Sequence, residues 1–269
     1  MEYRHKFILE KIKKNGSVNV IELAEDLNVS DMTIRRDLKE LEQLGLVCRF
    51  HGGAVGSRRR AHEWPLMTRG VVNQKQKEII GRYASEMIVE GDSIALDIGT
   101  TAYQIAKNIE HIKNITLITP SLPIAQLFFE RTDMRLILPG GIVRPGESSL
   151  VGEMTRRNIE QIFVDRLFIA AGGVDIQAGV TEFNMDDALI KQALIKNAKE
   201  VILAVDASKF DKISFTHVAD LNQIDQVITD APPPEELRQF FKQNGIAVHI
   251  ALDMLDGSLE NSNKSAMQK

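Results

Sequence analysis

The chain has 269 residues, 43% of them hydrophobic, with a formal net charge of −4 at pH 7 and a pI near 5.9; that is enough apolar content for one small and one medium domain, each with its own core. No run approaches the roughly eighteen apolar residues of a membrane span, and the charged N-terminus has no apolar signal core, so a cytoplasmic protein without a membrane partner is expected. The mildly acidic balance excludes a wholly basic nucleic-acid coat, the single cysteine, Cys48, excludes an internal disulfide, and six histidines scattered without ligand spacing give a metal site no support.

Tyr3 to Asn15, apolar at Phe7, Ile8 and Ile12, predicts a first helix. Val20, Leu23, Ala24 and Leu27 form a second, short amphipathic helix, and Asn28-Val29-Ser30 is a turn of helix-turn-helix length. In a third helix Ile34, Leu38 and Leu41 fall within about 60° of one another at roughly 100° per residue, a narrow apolar stripe that packs inward. Arg36 then lies nearly opposite the stripe and Arg35 about a quarter turn away, while Ser30 is a good N-cap. Two cations therefore face out. Leu46 to Phe50 is β-prone, Gly52-Gly53 supplies the turn of a hairpin wing, and Cys48 within it reads as a small buried hydrophobe. A plain helical bundle with solvated arginines is the bland alternative, but the stripe, the outward arginines and the hairpin would then have to coincide.

These residues resemble the winged-helix head of the DeoR family of bacterial transcription regulators. The signature runs through Leu23-Ala24, Val29-Ser30, Thr33-Ile34-Arg35-Arg36-Asp37-Leu38, Leu41-Glu42, Gly45 and Arg49-x-His51-Gly52-Gly53-Ala54. The resemblance implies a DNA-binding domain over residues 1–56 that meets operator double-stranded DNA through Ser30, Thr33, Arg35, Arg36, Arg49, His51, Gly52 and Gly53. Charge is divided accordingly: residues 1–60 carry 12 Lys and Arg against 9 Asp and Glu, a net of +3, which leaves −7 on the remainder. That asymmetry is expected when one module meets phosphate and the other must stay soluble.

Residues 57–73 combine an arginine run with Gly, Ser and Pro, the composition of a linker, whose arginines read equally as phosphate contacts or as a solvated hinge. Residues 74–252 alternate short β-branched runs with helical periods: Ser93–Asp97, Ile115–Thr119, Arg135–Leu138, Arg166–Ala170, Val201–Val205 and Gln226–Thr229, with helices such as Leu122–Glu130 and Asp187–Asn197 between them. Runs so continuously apolar are covered on both faces, so the fold class is α/β, a winged helix-turn-helix domain followed by a mostly parallel sheet. Residues 253–269, rich in Ser and Asn, read as a disordered tail.

Ligands of such sheets sit beyond the carboxyl ends of the strands. Asp97-Ile98-Gly99-Thr100-Thr101 follows one strand and opens a helix, so Gly99 lets the backbone approach an anion while Thr100, Thr101 and unpaired N–H groups donate to it; the same residues read equally as an N-cap with a tight turn. Thr119-Pro120-Ser121, Gly140-Gly141 and Asp206-Ala207-Ser208-Lys209 are expected to converge with it. DeoR-family effector domains resemble ribose-5-phosphate isomerase and bind phosphorylated sugars. Their phosphate loop matches Asp97-x-Gly99-Thr100-Thr101, their Asp-Ser-Ser-Lys-Phe element matches Asp206 to Phe210, and an acid-x-x-x-Lys pair falls on Asp187 and Lys191. As i,i+4 neighbours on a helix those two read equally as a surface ion pair. Pro120 and Asp187 depart from the family's usual Asn and Glu, which leaves the sugar open.

The expected effector residues are therefore Asp97, Gly99, Thr100, Thr101, Ser121, Gly140, Gly141, Asp187, Lys191, Asp206, Ser208 and Lys209, with no catalytic residue, cofactor or metal. The resemblance implies a sugar-phosphate-responsive regulator of a carbohydrate-use operon, most often a repressor, acting as a homo-oligomer. A sugar-phosphate isomerase carrying an appended head is the rival from another class, and a ligand-independent architectural protein a poorer third.

Overall fold

The computed structural model describes residues 3–43, 46–50, 52–56, 63 and 66–251. Gly45, His51, the arginine run at 58–60 and the expected tail lie outside the described residues.

Three helices and a three-stranded sheet make the head: α1 (Tyr3–Asn15), β1 (Ser17–Asn19), α2 (Val20–Leu27), α3 (Asp31–Gln43), β2 (Val47–Phe50) and β3 (Gly53–Gly56). The stripe of α3 is buried as its spacing requires, with Ile34, Leu38 and Leu41 packed on Ile8, Leu23, Val47 and Ala54. Asn19 caps α2 by accepting from the Ile21 N–H at 2.8 Å, and Asn28 ends it in the left-handed region at φ 49°. β2 and β3 pair antiparallel as the wing, while β1, too short to show a period, pairs with the other edge of β3. Gly53 is required there, since a Cβ would lie 2.1 Å from the Val18 carbonyl oxygen. Cys48 is only half-buried.

Among the described residues the rest of the chain runs α4 (Leu66–Val71), α5 (Gln74–Ser85), β4 (Ser93–Leu96), α6 (Thr100–Asn108), β5 (Thr116–Ile118), α7 (Leu122–Gln126), β6 (Arg135–Ile137), β7 (Ile142–Arg144), β8 (Ser149–Val151), α8 (Glu153–Ile159), β9 (Val164–Ile169), β10 (Gly173–Asp175), β11 (Gly179–Glu182), α9 (Met185–Lys196), β12 (Ala198–Ala204), β13 (Thr216–Ala219), β14 (Gln226–Thr229), α10 (Glu235–Gln243) and β15 (Ala247–Ile250). Seven strands form one parallel sheet in the order β15-β14-β12-β9-β4-β5-β6. Alternate residues of β9 feed different cores, Leu167 and Ile169 on one face and Phe168 on the other. Both faces are covered, which is why these strands read as unbroken apolar runs. No helix among the described residues is long and apolar enough to cross a membrane.

Two expectations change. β6 is the sheet edge and its residues are at most half-buried, because no strand lies beyond it to carry a covering helix. α7 ends at Gln126 rather than at Glu130, since the N–H groups of Leu127 and Phe128 turn back to Ile124 and Ala125 in tighter, three-residue bonds. The β7–β8 hairpin and the small antiparallel sheet β10-β11-β13 are additions the apolar runs do not announce.

Chain order reverses between β4 and β9: β4, β5 and β6 step one way across the sheet, and β9, β12, β14 and β15 the other. A crevice opens at the carboxyl ends of strands at such a switch point. The loop after β4 carries Asp97 to Thr101.

Candidate functional site

On the head, Arg35 and Arg36 are exposed and share one face with Ser30, Met32, Thr33, Lys39 and Arg49. Ser30 Oγ accepts from the Thr33 N–H at 3.3 Å and contacts Thr33 Oγ1 at 2.9 Å, so both hydroxyls are partly engaged in starting α3. Arg49 is tied to α3: its Nε and its backbone N–H both reach the Glu42 carboxylate at 3.0 Å. Its charge is thereby partly neutralised, and it braces the wing against α3. Gly52 and Gly53 form the hairpin tip. At the back of α3, His5 Nε2 stands 3.4 Å from Glu40 Oε2 and 3.7 Å from Asp37 Oδ1. Arg4 already pairs with Asp37 at 2.7 Å, so that trio has a cation without a metal.

The second site is the crevice at the switch point. Gly99, at φ 109°, turns the chain from β4 into α6, and Thr100 and Thr101 open that helix, whose first N–H groups point along the helix axis into the cleft. Ala170 and Ala171 follow β9, and Asp206, Ser208 and Lys209 follow β12; all line the same cleft. Asp206 accepts from the Ser208 N–H at 3.1 Å and from Asn73 Nδ2 at 2.9 Å. Burial alone would raise its carboxyl, but Lys209, Ser208, Lys77 and Asn73 together hold it below the usual range.

Asp97 faces inward. It is fully buried, accepts from the Ala170 N–H at 3.0 Å and pairs with Lys191. Burial pushes its carboxyl up against the pull of Lys191, and its Oδ1 has no hydrogen-bond partner among the described residues. Lys191, itself 1% exposed, also pairs with Glu182 at 3.2 Å and donates to the Ala170 carbonyl at 2.8 Å. Burial alone would strip its proton; Asp97 and Glu182 instead hold it above the ordinary lysine value. The Asp187 and Lys191 side chains are not a surface pair: both are buried and each faces different partners. Asp187 pairs with Arg144 at 2.8 Å and accepts from Ser149 Oγ at 3.1 Å. Its pKa is pushed up to about 6, chiefly by burial, with Arg144 opposing the rise and Glu182 and Glu63 adding to it.

Neither Asp187 nor Lys191 lines the cleft, and four other expected residues, Asp97, Ser121, Gly140 and Gly141, also fall outside its walls. Ser121 caps α7, accepting from the Ile124 N–H at 3.4 Å. Gly140 and Gly141 pack under α8, where Thr155 Oγ1 donates to the Gly140 carbonyl at 2.6 Å and a Cβ on Gly141 would strike that hydroxyl at 1.9 Å. Gly141 is needed for packing, and Gly140 for a backbone at φ 71°.

The sequence reading passed over Arg69, Asn73 and Lys77, which wall the cleft together with Val55, Val72, Glu63 and Glu182. Their spacing of four was a usable signal, three polar residues on one side of a helical period. Arg69 pairs with Glu63 at 3.2 Å and with Glu147; Arg144 bridges Glu63, Glu147 and Asp187. Around this end of the cleft five acids (Asp97, Glu63, Glu147, Glu182, Asp187) share three bases (Arg69, Arg144, Lys191). The walls also include the α6 N-terminus, Lys77 and Lys209. The cleft thus combines donors suited to an anion with carboxylates suited to hydroxyl groups, between the apolar side chains of Val55, Val72 and Ile98.

Residues 4–59 match the model of the DeoR-like helix-turn-helix domain, and residues 72–231 that of the DeoR C terminal sensor domain. The chain is 34% identical over 251 residues to the glycerol-3-phosphate regulon repressor of Escherichia coli (strain K12), covering 93% of this chain and 98% of that protein. It is 33% identical over 228 residues to the lactose phosphotransferase system repressor of Staphylococcus epidermidis, covering 83% of this chain and 89% of that protein. A D-ribose-5-phosphate isomerase in complex with phospho-erythronic acid superposes on 51% of this chain and 54% of its own at TM-score 0.39 and 17% identity, a likeness too slight to bear on chemistry. With a helix-turn-helix head, a sensor module and full-length kinship to named repressors, the chain belongs to the DeoR family of transcriptional regulators.

Proposed function

We propose that the protein is a DNA-binding repressor of a carbohydrate-use operon that responds to a phosphorylated sugar or sugar metabolite. The observation that carries this reading is the cleft at the β4/β9 switch point, where Gly99, Thr100 and Thr101 aim a helix N-terminus at a space flanked by Lys77 and Lys209. Backbone N–H groups, the helix dipole and the Lys209 ammonium suit a phosphate, and Lys77, held by the Arg69 and Val72 carbonyls, adds its charge from the wall. The acid-rich end around Glu63 and Glu182 suits sugar hydroxyls, which donate to carboxylates. The names of the relatives, repressors of glycerol-3-phosphate and lactose-phosphotransferase systems, support the same ligand class.

On the head, Ser30, Thr33, Arg35, Arg36, Arg49, Gly52 and Gly53 are the operator-facing residues, with Arg35 and Arg36 in the major groove. One module of this size buries about 600–1,000 Å² on DNA, too little for strong specificity, so the protein acts as a homo-oligomer on paired half-sites. It works in the cytoplasm, where operator and metabolite meet. Sugar phosphate binds without turnover: Lys191 is locked between Asp97 and Glu182, and Asp187 on Arg144, so the pair an isomerase would use is not presented to the ligand.

The test is a thermal-shift screen with glycerol 3-phosphate, ribose 5-phosphate and fructose 6-phosphate, followed by NMR of the mixtures. A ligand at a hundred times its Kd stabilises by about 2.7 kcal/mol. Stabilisation by at least one compound with no isomerised product is expected. Steady product that vanishes in Lys191→Ala would establish an enzyme instead.

A further inference from the structure

We infer that the segment joining head to sensor is itself part of the effector site, with Arg69 and Asn73 as ligand-binding residues. The inference rests on the sugar-phosphate reading of the cleft. α4 and the two residues after it form the wall opposite the strand ends. The approach is close: a Cβ on Gly70 would lie 4.0 Å from Thr100 Cγ2 in the phosphate loop. Lys77 Nζ donates to the carbonyls of Arg69 and, at 2.5 Å, of Val72, which fastens the end of α4 onto the start of α5.

Asn73 and Arg69 now spend their donors on partners that a ligand would replace. Asn73 Nδ2 donates to Asp206 Oδ1 at 2.9 Å and to Ser208 Oγ at 3.1 Å, linking the segment to the loop after β12. Arg69 spans from Glu63 to Glu147, presenting a guanidinium fork whose planar donors can serve the oxygens of a ligand as well as they serve these acids. An anionic, hydroxylated ligand offers both residues replacement partners of the same chemistry.

The location gives the contact its consequence. Val72 stands directly before Asn73 and packs against the core of the head, while Val55 of the wing strand β3 lines the cleft itself. A ligand that draws on Arg69 and Asn73 therefore acts on the residues that seat the head on the sensor. No relay through the sheet is needed.

Titration calorimetry tests this on the full chain, using whichever of glycerol 3-phosphate, ribose 5-phosphate and fructose 6-phosphate binds the parent. Arg69→Ala and Asn73→Gly should each raise the Kd at least tenfold; glycine keeps the left-handed backbone that Asn73 adopts at φ 52°. Glu147→Gln separates binding from bracing. It removes a partner of Arg69 but leaves the guanidinium, so a ligand contact predicts unchanged or tighter binding, and a purely structural ion pair predicts weakening like that of Arg69→Ala. Arg69→Lys should recover part of the affinity. If the parent binds and both Arg69→Ala and Asn73→Gly bind equally well, or if Glu147→Gln weakens binding as Arg69→Ala does, the inference is overturned while the sugar-phosphate reading stands. If none of the three compounds binds the parent, both fall.

Discussion

Arg36 projects from α3 with 67% of its side chain exposed and, among the described residues, makes a long contact of 4.0 Å to Glu40. Replacing it by Ala removes no core packing, so Arg36→Ala should leave the melting temperature unchanged yet weaken operator binding by about 1–3 kcal/mol if it reads a guanine edge. Electrophoretic titration of operator and scrambled DNA checks both parts. Thr100 and Thr101 should behave oppositely. In Thr100→Val/Thr101→Val the side-chain shapes persist while two hydroxyl donors disappear beside an anion. A charge-assisted hydrogen bond is worth about 1.5–3 kcal/mol, so effector affinity should fall at least tenfold while operator affinity without ligand persists. Asp187 supplies a pH signature. Its folded pKa is raised from 3.8 to about 6, so the folded state holds the proton where the unfolded chain has lost it. The charged carboxylate therefore costs stability that grows as pH rises from about 4 to about 6 and is fully present above 6. The melting temperature of Asp187→Asn minus that of the parent should consequently be more positive at pH 7 than at pH 4.5, and a difference independent of pH would refute the shift.

At the scale of elements, Gly81 lets α5 pack closely on α6. A Cβ there would lie 2.7 Å from the backbone carbon of Gln104. Gly81→Ala should therefore destabilise the protein by about 1–3 kcal/mol, despite the better helix propensity of alanine, and the outcome is read from a denaturant midpoint at unchanged slope. The elements legible in the sequence were those with a long apolar period or an apolar run: α1, the stripe of α3, and strands β4, β9, β12 and β14, where burial on both faces leaves apolar stretches such as 167–169 and 201–204. β1 was not legible because three residues cannot show a period. The cleft was legible on its sheet side, since Gly99-Thr100-Thr101 and Asp206 to Lys209 stand at strand ends where small and polar residues are conspicuous. Its other wall was not. Arg69, Asn73 and Lys77 look like ordinary polar positions of a linker until the fold brings α4 over α6. Gly140, Gly141 and Ser121 stand outside those walls, because glycine and serine at a strand end serve a turn, tight packing or helix capping as readily as they cradle a ligand.

Across the whole molecule, head and sensor meet at Val55, Val72 and the cleft between them. Regulation here is a linkage between two sites. If a sugar phosphate lowers operator affinity by some factor, operator DNA must lower sugar-phosphate affinity by the same factor, because both share one cycle. That reciprocity is the most direct test of the central claim. The measurement is a pair of titrations at fixed salt, using promoter DNA adjoining the gene and the sugar phosphate that most stabilises the protein: DNA affinity with and without saturating ligand, and ligand affinity with and without saturating DNA. Two equal factors of at least about tenfold, or about 1.4 kcal/mol of coupling, are predicted, and both should collapse toward one in Thr100→Val/Thr101→Val. Operator affinity that stays the same whether or not the sugar phosphate is bound would contradict the account.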